Sequence, residues 1–119
     1  MENTLHYIPV IPMRGMVVFP HMNVNFDAGR DVSVKGLSAA SEENSVVFLT
    51  SQKQIDKENP KPEDLYNIGT IAQIKQVMRL PGNVTRVVVT GVARGAIREM
   101  TLTKPYFKAV VEEFHTEYE

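Results

Sequence analysis

The chain has 119 residues, 43% of them hydrophobic and 23% charged, with 13 Lys and Arg against 14 Asp and Glu for a net charge of −1, and it has no cysteine. This is an ordinary globular balance sufficient for one domain with one core, and it excludes a disordered chain. Without a cation excess there is little to neutralise a phosphate backbone, which argues against nucleic acid as a partner, and without cysteine there is no disulfide framework, thiol nucleophile or thiolate metal site.

No window combines a basic flank with an apolar run long enough for a signal peptide or a membrane span. The sequence therefore reads as a soluble cytoplasmic chain that starts at its own initiator methionine, and the missing cysteine fits a reducing compartment.

In chain order, "HYIPVIPM" can be extended, but Pro9 and Pro12 lack the N–H that a central strand donates, so it is expected at a sheet edge or as an irregular segment. Arg14-Gly15 reads as a turn, "MVVFP" as an apolar connection halted by Pro20, and "HMNVNFD" as a strand in which Met22, Val24 and Phe26 alternate with asparagines. Between about Gly29 and Asn44 the period changes. Ser33, Gly36, Leu37 and Ala40 fall at i, i+3, i+4, i+7, predicting a helix with a small-residue stripe laid close against a sheet and a left-handed stop at Asn44.

"SVVFLTSQ" is a short apolar run expected to be buried on both faces, and "KQIDKENPKPEDLYN" a charged surface loop. Strands resume with "IGTIAQIKQVMRL", turn at "LPGN", return in "VTRVVVTGV" and start afresh after a glycine bend in "ARGAIREMTLT". "YFKAVVEEFHTEY" is a strand or the start of a helix, set off by Pro105. Six or seven strands, mostly joined by hairpins, with one helix inserted early, make a mostly β, barrel-like α+β domain.

Chemistry is nearly absent from the sequence. It contains no phosphate loop, no nucleophile elbow and no HExxH pair. His6, His21 and His115 lie far apart without carboxylates at ligand spacing, and Asp56, Glu58, Glu63 and Asp64 sit among lysines as a solvated surface. Ser33 and Lys35, two apart on a helix, face different directions. The residues point to no catalytic, metal or cofactor site.

The blocks "IPVIPMRGMVVFPHM", "GRDVSVKGL" and "DLYNIGTIAQIKQVMRLPGNVTRVVVTGVARGAI", in this order, closely resemble the amino-terminal domain of the Lon family of ATP-dependent proteases, from about Tyr7 to Tyr118. The turn reads Leu-Pro-Gly-Asn where that family more often has Leu-Pro-Asp-Gly, and Thr90 stands where an acidic residue is common.

The resemblance implies that residues 1–119 form a single PUA-like pseudo-barrel, excised from a longer serine endopeptidase whose ATPase and protease domains lie outside this chain. It also implies ATP and magnesium for the parent and no cofactor for this segment. The expected partners are unfolded or damaged protein substrates and other protomers of a homohexamer, with no membrane and no nucleic acid. An RNA-binding role would rest on fold analogy alone and is opposed by the net charge.

A receptor for unfolded chains needs adaptable apolar surface, which methionine provides. Met78, Leu80 and Pro81 carry apolar character to the tip of a hairpin, where polar residues are usual, and are the foremost candidates for substrate contact. Met22 and Val24 are weaker candidates, with ordinary core packing as the alternative. Arg14, Met16, Val17 and Phe19 are read either as a self-association surface or, for the three apolar side chains, as a plug at one end of the barrel.

Overall fold

In a computed structural model that describes residues 4–114, the proline-broken first strand, β1 (Leu5–Met13), is central, contrary to the edge position expected for it. Its first half, Leu5–Val10, pairs antiparallel with β6 (Phe107–Glu113), and its second half, Val10–Met13, pairs parallel with β3 (Val46–Ser51). The prolines fit because main-chain polar groups alternate sides along a strand. Met13 accepts from Gln52 N on the β3 side, so Pro9 shares that side, ahead of where β3 pairing begins. Pro12 turns the opposite way, past the end of β6, and its carbonyl accepts from Arg30 Nη2 at 3.0 Å. Neither ring removes a donor that the ladder needs.

The chain continues through β2 (Asn23–Ala28), α1 (Asp31–Ser41), β3, a 3₁₀ turn at Pro62–Asp64, β4 (Ile68–Leu80), β5 (Val84–Leu102) and β6. The sheet order is β2-β5-β4-β3-β1-β6, and β6 also pairs with β5. Five strands therefore close into a ring, and β2 is attached to the first half of β5 alone. The expected break inside "VTRVVVTGVARGAIREMTLT" does not occur. It is one 19-residue strand that changes partner, from β2 over Thr85–Thr90 to β6 from Gly95 onward, and bulges opposite β4 absorb the curvature.

The helix forms where the period indicated, and its buried residues are Ser33, Gly36, Leu37 and Ala40. A Cβ on Gly36 would lie 3.0 Å from Ile11 Cδ1, so the small residue lets the helix backbone settle onto β1. The left-handed stop falls one residue later than expected. Ser45 has φ +61°, and its N–H closes onto Ala40 O at 2.8 Å.

Strand β3 is buried on both faces, Val47 and Leu49 toward the cluster under α1 and Phe48 toward a second cluster with Val10, Ile71, Phe107 and Val111. Burying one side chain of this size stabilises by about 2 kcal/mol, so Leu37 alone justifies the helix docking. The charged loop is tied at both ends. Gln52 bridges to Leu65, which enters the second cluster, and Asp64 accepts from Lys61 N at 2.7 Å and pairs with Lys57 at 2.9 Å. The closing segment is a strand through Glu113; His115 lies outside the described residues.

Candidate functional site

Residues 14–22 cross one end of the ring, and their side chains alternate. Met16 is half-buried against the core and Val18 is fully inside it, while Val17 and Phe19 point out with 50% and 55% of their surface exposed. The expected plug of Met16, Val17 and Phe19 is thus corrected to Met16 and Val18. In an extended segment neighbours face opposite ways, so a continuous apolar run cannot be buried whole.

The segment is pinned by polar contacts rather than by strand pairing. Ser51 Oγ donates to Met16 O at 3.2 Å, and the Thr70 hydroxyl, itself buried, donates to Val18 O. Beyond Phe19 the chain turns back, with Met22 N bonded to Phe19 O at 3.1 Å, His21 N to Gly91 O at 2.8 Å and Gly91 N to Met22 O at 2.9 Å. Gly91 is required there, since a Cβ would lie 2.2 Å from Phe19 O. The Arg94 guanidinium bonds Thr70 Oγ1 at 2.7 Å and lies 5.8 Å from the Phe19 ring centroid, a cation–π contact worth about 0.5–1 kcal/mol.

Around this strap lie further apolar side chains that water reaches. Tyr66 and Ile68, each 50% exposed, line a cleft of about 190 Å³ together with Val17 and Arg94. Met22 is exposed, its sulfur accepting weakly from Phe19 N at 3.5 Å, and exposed Ile55 of the charged loop approaches Gly15. Apolar groups gathered on a surface mark an interaction site more than a scattered residue does. Tyr66 and Ile68 escaped the sequence reading because Ile68 opens a strand whose other isoleucines are core; the only signal is its place after the polar Asn67.

The hairpin tip carries a second, thinner apolar area. Val77 and Met78 are exposed, Pro81 is exposed, and Leu80 turns partly under, lining a hollow with Val34, Lys35 and Val84. The two areas are not one site, since Ile68 and Leu80 end the same strand, roughly 40 Å apart along its length. Of the weaker candidates Met22 joins the strap, whereas Val24 packs half-buried against the core. Arg14 is exposed at the start of the strap.

Among the described residues no group of three or more His, Cys, Asp or Glu is placed to hold a metal ion. His6 Nε2 is 2.7 Å from Glu113 Oε1, a contact that ties β1 to β6. No helix among the described residues is long and apolar enough to cross a membrane.

Residues 7–119 match the family model described as the ATP-dependent protease La (LON) substrate-binding domain. The Lon protease of Clostridioides difficile strain 630 is 45% identical over 108 residues, which cover 91% of this chain and 14% of that protein. That of Desulforamulus reducens is 36% identical over 119 residues, covering 100% of this chain and 15% of its own length. The chain therefore spans about one seventh of the curated relatives it matches. Among solved structures, the N-terminal domain of Mycobacterium avium complex Lon protease superposes with a TM-score of 0.72 at 23% identity, over 96% of this chain and 57% of that one. The Lon N-terminal domain protein of Xanthomonas campestris superposes at 0.63 and 13% identity, over 91% and 57%; both show the shared fold. A family model matched over nearly the whole sequence, relatives at up to 45% identity and a common barrel agree that this chain belongs to the Lon substrate-binding domain family.

Proposed function

We propose that the domain is the non-catalytic recognition and assembly module of a longer ATP-dependent protease, and that it holds exposed apolar segments of unfolded or damaged polypeptide. The observation that carries this reading is the pinned strap that presents Val17 and Phe19 half-exposed beside Tyr66 and Ile68. A side chain displayed by a fixed backbone loses little entropy on binding, so its burial translates efficiently into affinity. Met22 adds a contact that repacks around different sequences. Met78, Leu80 and Pro81 form a second, smaller contact at the hairpin tip. On this reading ATP, magnesium and peptide-bond cleavage belong to other parts of the protease.

The test is an NMR titration of the labelled chain with a permanently unfolded polypeptide, with the same polypeptide folded as control. Shifts concentrated at Val17, Phe19, Met22, Tyr66 and Ile68 with the unfolded form alone are expected. No shift at millimolar polypeptide would sink the recognition reading.

A scaffold role is the second reading, favoured by Leu5 and Tyr7, which share one face of β1 and are 62% and 57% exposed. Sedimentation that detects self-association, lost in Tyr7→Lys, would favour it over recognition.

A further inference from the structure

The barrel is not sealed all the way round. The second half of β1 has β3 on one side and no strand on the other, and β2 pairs with β5 alone. Between these two free edges lies a slot of about 420 Å³, lined in part by Met16 and Phe26 and by the largely buried Ile11 and Met13, and flanked by Arg14 and Arg30.

The two arginines differ in how they are held. Arg30 is half-buried, donating Nη2 to Pro12 O at 3.0 Å and Nη1 to Gln52 Oε1. Gln52 is itself buried and fixed by Nε2 bonds to Gln54 O at 3.0 Å and Lys57 O at 2.8 Å. That commits two of the five N–H donors of Arg30. Arg14 is exposed and makes no hydrogen bond or ion pair among the described residues. The one acid lining the slot, Asp27, is engaged by Arg86 at 2.8 and 3.1 Å. Two like charges are therefore held near each other at the rim of an apolar slot without an anion of their own. Burial first, and then the charge of Arg14, push the Arg30 guanidinium below its usual value.

We infer that the slot between β1 and β2 binds the carboxy-terminal residue of a polypeptide, with its apolar side chain among Ile11, Met13, Met16 and Phe26 and its α-carboxylate on Arg14 and Arg30. The chemistry selects this occupant. Only the last residue of a chain carries an apolar side chain and a carboxylate on the same Cα; an internal Asp or Glu spends its own side chain on the charge and has no second, apolar group at that Cα, and a free amino acid adds an ammonium that the arginines repel. The outer edge of β2 offers main-chain partners to the residues that precede it, whereas Pro12 on the β1 side has no N–H and its carbonyl already accepts from Arg30. A guanidinium with unused donors is the side chain suited to a carboxylate. The inference rests on the polypeptide-binding reading and gives it a second, end-specific site, which shares Arg14 and Met16 with the strap but not its outward side chains Val17 and Phe19.

The experiment titrates this chain with an apolar hexapeptide ending in leucine, once as the free acid and once as the carboxy-terminal amide, following the Met13 methyl resonance and the Phe26 ring, and reads them by how the shift differs from that of Val17. The free acid is expected to shift them with at least tenfold higher affinity than the amide. Arg14→Gln, a surface change that leaves the fold intact, is expected to reduce free-acid affinity to the amide level. Equal affinity for acid and amide, or shifts confined to Val17, Phe19 and Tyr66, would overturn the slot while leaving recognition by the strap in place. Decanoate binding as tightly as the peptide would overturn the assignment to a polypeptide end. Acid-specific peptide binding in a chain that ignores a long unfolded polypeptide would uphold the slot and remove the general reading.

Discussion

The strap of residues 14–22 and the hairpin tip beyond Arg79 both expose apolar side chains, yet they are built in opposite ways. The strap has almost no regular structure and is held from outside itself, by Ser51, Thr70, Gly91 and Arg94. The tip is regular ladder almost to its end, Leu80 pairing with Val84, but β2 covers β5 only from Thr85. A loop with four anchors presents a fixed surface, whereas the tip rests on its own ladder, on a contact from Arg79 to Ser38 and on the Asp27–Arg86 pair behind it. Lack of secondary structure is thus no guide to how firmly a segment is held, and the irregular strap is the better display platform.

The largest effect should come from Gly91→Val. Its Cβ would meet Phe19 O at 2.2 Å and Pro20 Cα at 3.2 Å, both backbone atoms that cannot step aside cheaply. Thermal or urea unfolding should show a loss of about 3 kcal/mol, with faster amide exchange in the strap and none added at the tip. An unchanged melting curve would mean that the strap is not pinned. Thr70→Val removes the donor to Val18 O and the acceptor of Arg94 in a buried setting and should cost about 2 kcal/mol by the same measurement.

Phe19→Asp separates display from stability. It should weaken binding of the unfolded polypeptide about tenfold, or ~1.4 kcal/mol, while stability falls by no more than the ~0.5–1 kcal/mol of the Arg94 contact, since half of the ring is in water. Met78→Asp should weaken binding by about threefold or less, or ~0.7 kcal/mol, because Met78 exposes less surface than Phe19 and stands in the thinner apolar area. If Met78→Asp were the more damaging of the two, the ranking of strap over tip would be reversed.

The smallest effect concerns acid. Asp27 opposes Arg86 in the β2–β5 register, and Arg86 opposes Met78, so this pair clamps the base of the tip. Hydrogen bonds from Arg86 hold the Asp27 carboxyl below its ordinary value of 3.8. A carboxyl that is more acidic in the folded state stabilises fully above that ordinary value and loses its contribution as pH falls through the lower folded one. The pair is exposed, so Asp27→Asn should lower the melting temperature only slightly at neutral pH, and the difference from the parent should vanish well below pH 3.8. A difference that persisted in acid would mean that the asparagine disturbs β2 for another reason. Asp64 follows the same sign, held down first by the Lys61 N–H and then by Lys57.

The candidate site was only partly legible. From the sequence, Val17 and Phe19, apolar residues between Gly15 and Pro20, are legible as a self-association surface or a plug, and Met22 as a weaker polypeptide contact in an alternating strand; that they share one surface is not legible. Val24 could not be assigned, because period-2 alternation shows two faces without showing which one meets the helix. Tyr66 and Ile68 become surface only because β4 starts beside the strap, a juxtaposition of residues about fifty positions apart.

The sequence by itself determined what depends on neighbours in the chain. The helix and its buried stripe follow from the 3.6 period, the doubly buried β3 from an uninterrupted apolar run, and the hairpin after Leu80 from its turn residues. Tertiary structure alone decided which strands meet. It made β1 central by placing Pro9 and Pro12 where no partner needs their N–H, joined what read as two strands into β5, and left the slot open between β1 and β2. Local periodicity reports how a segment buries its own side chains; pairing between distant segments depends on how the whole ring closes, and no short window of sequence contains that geometry.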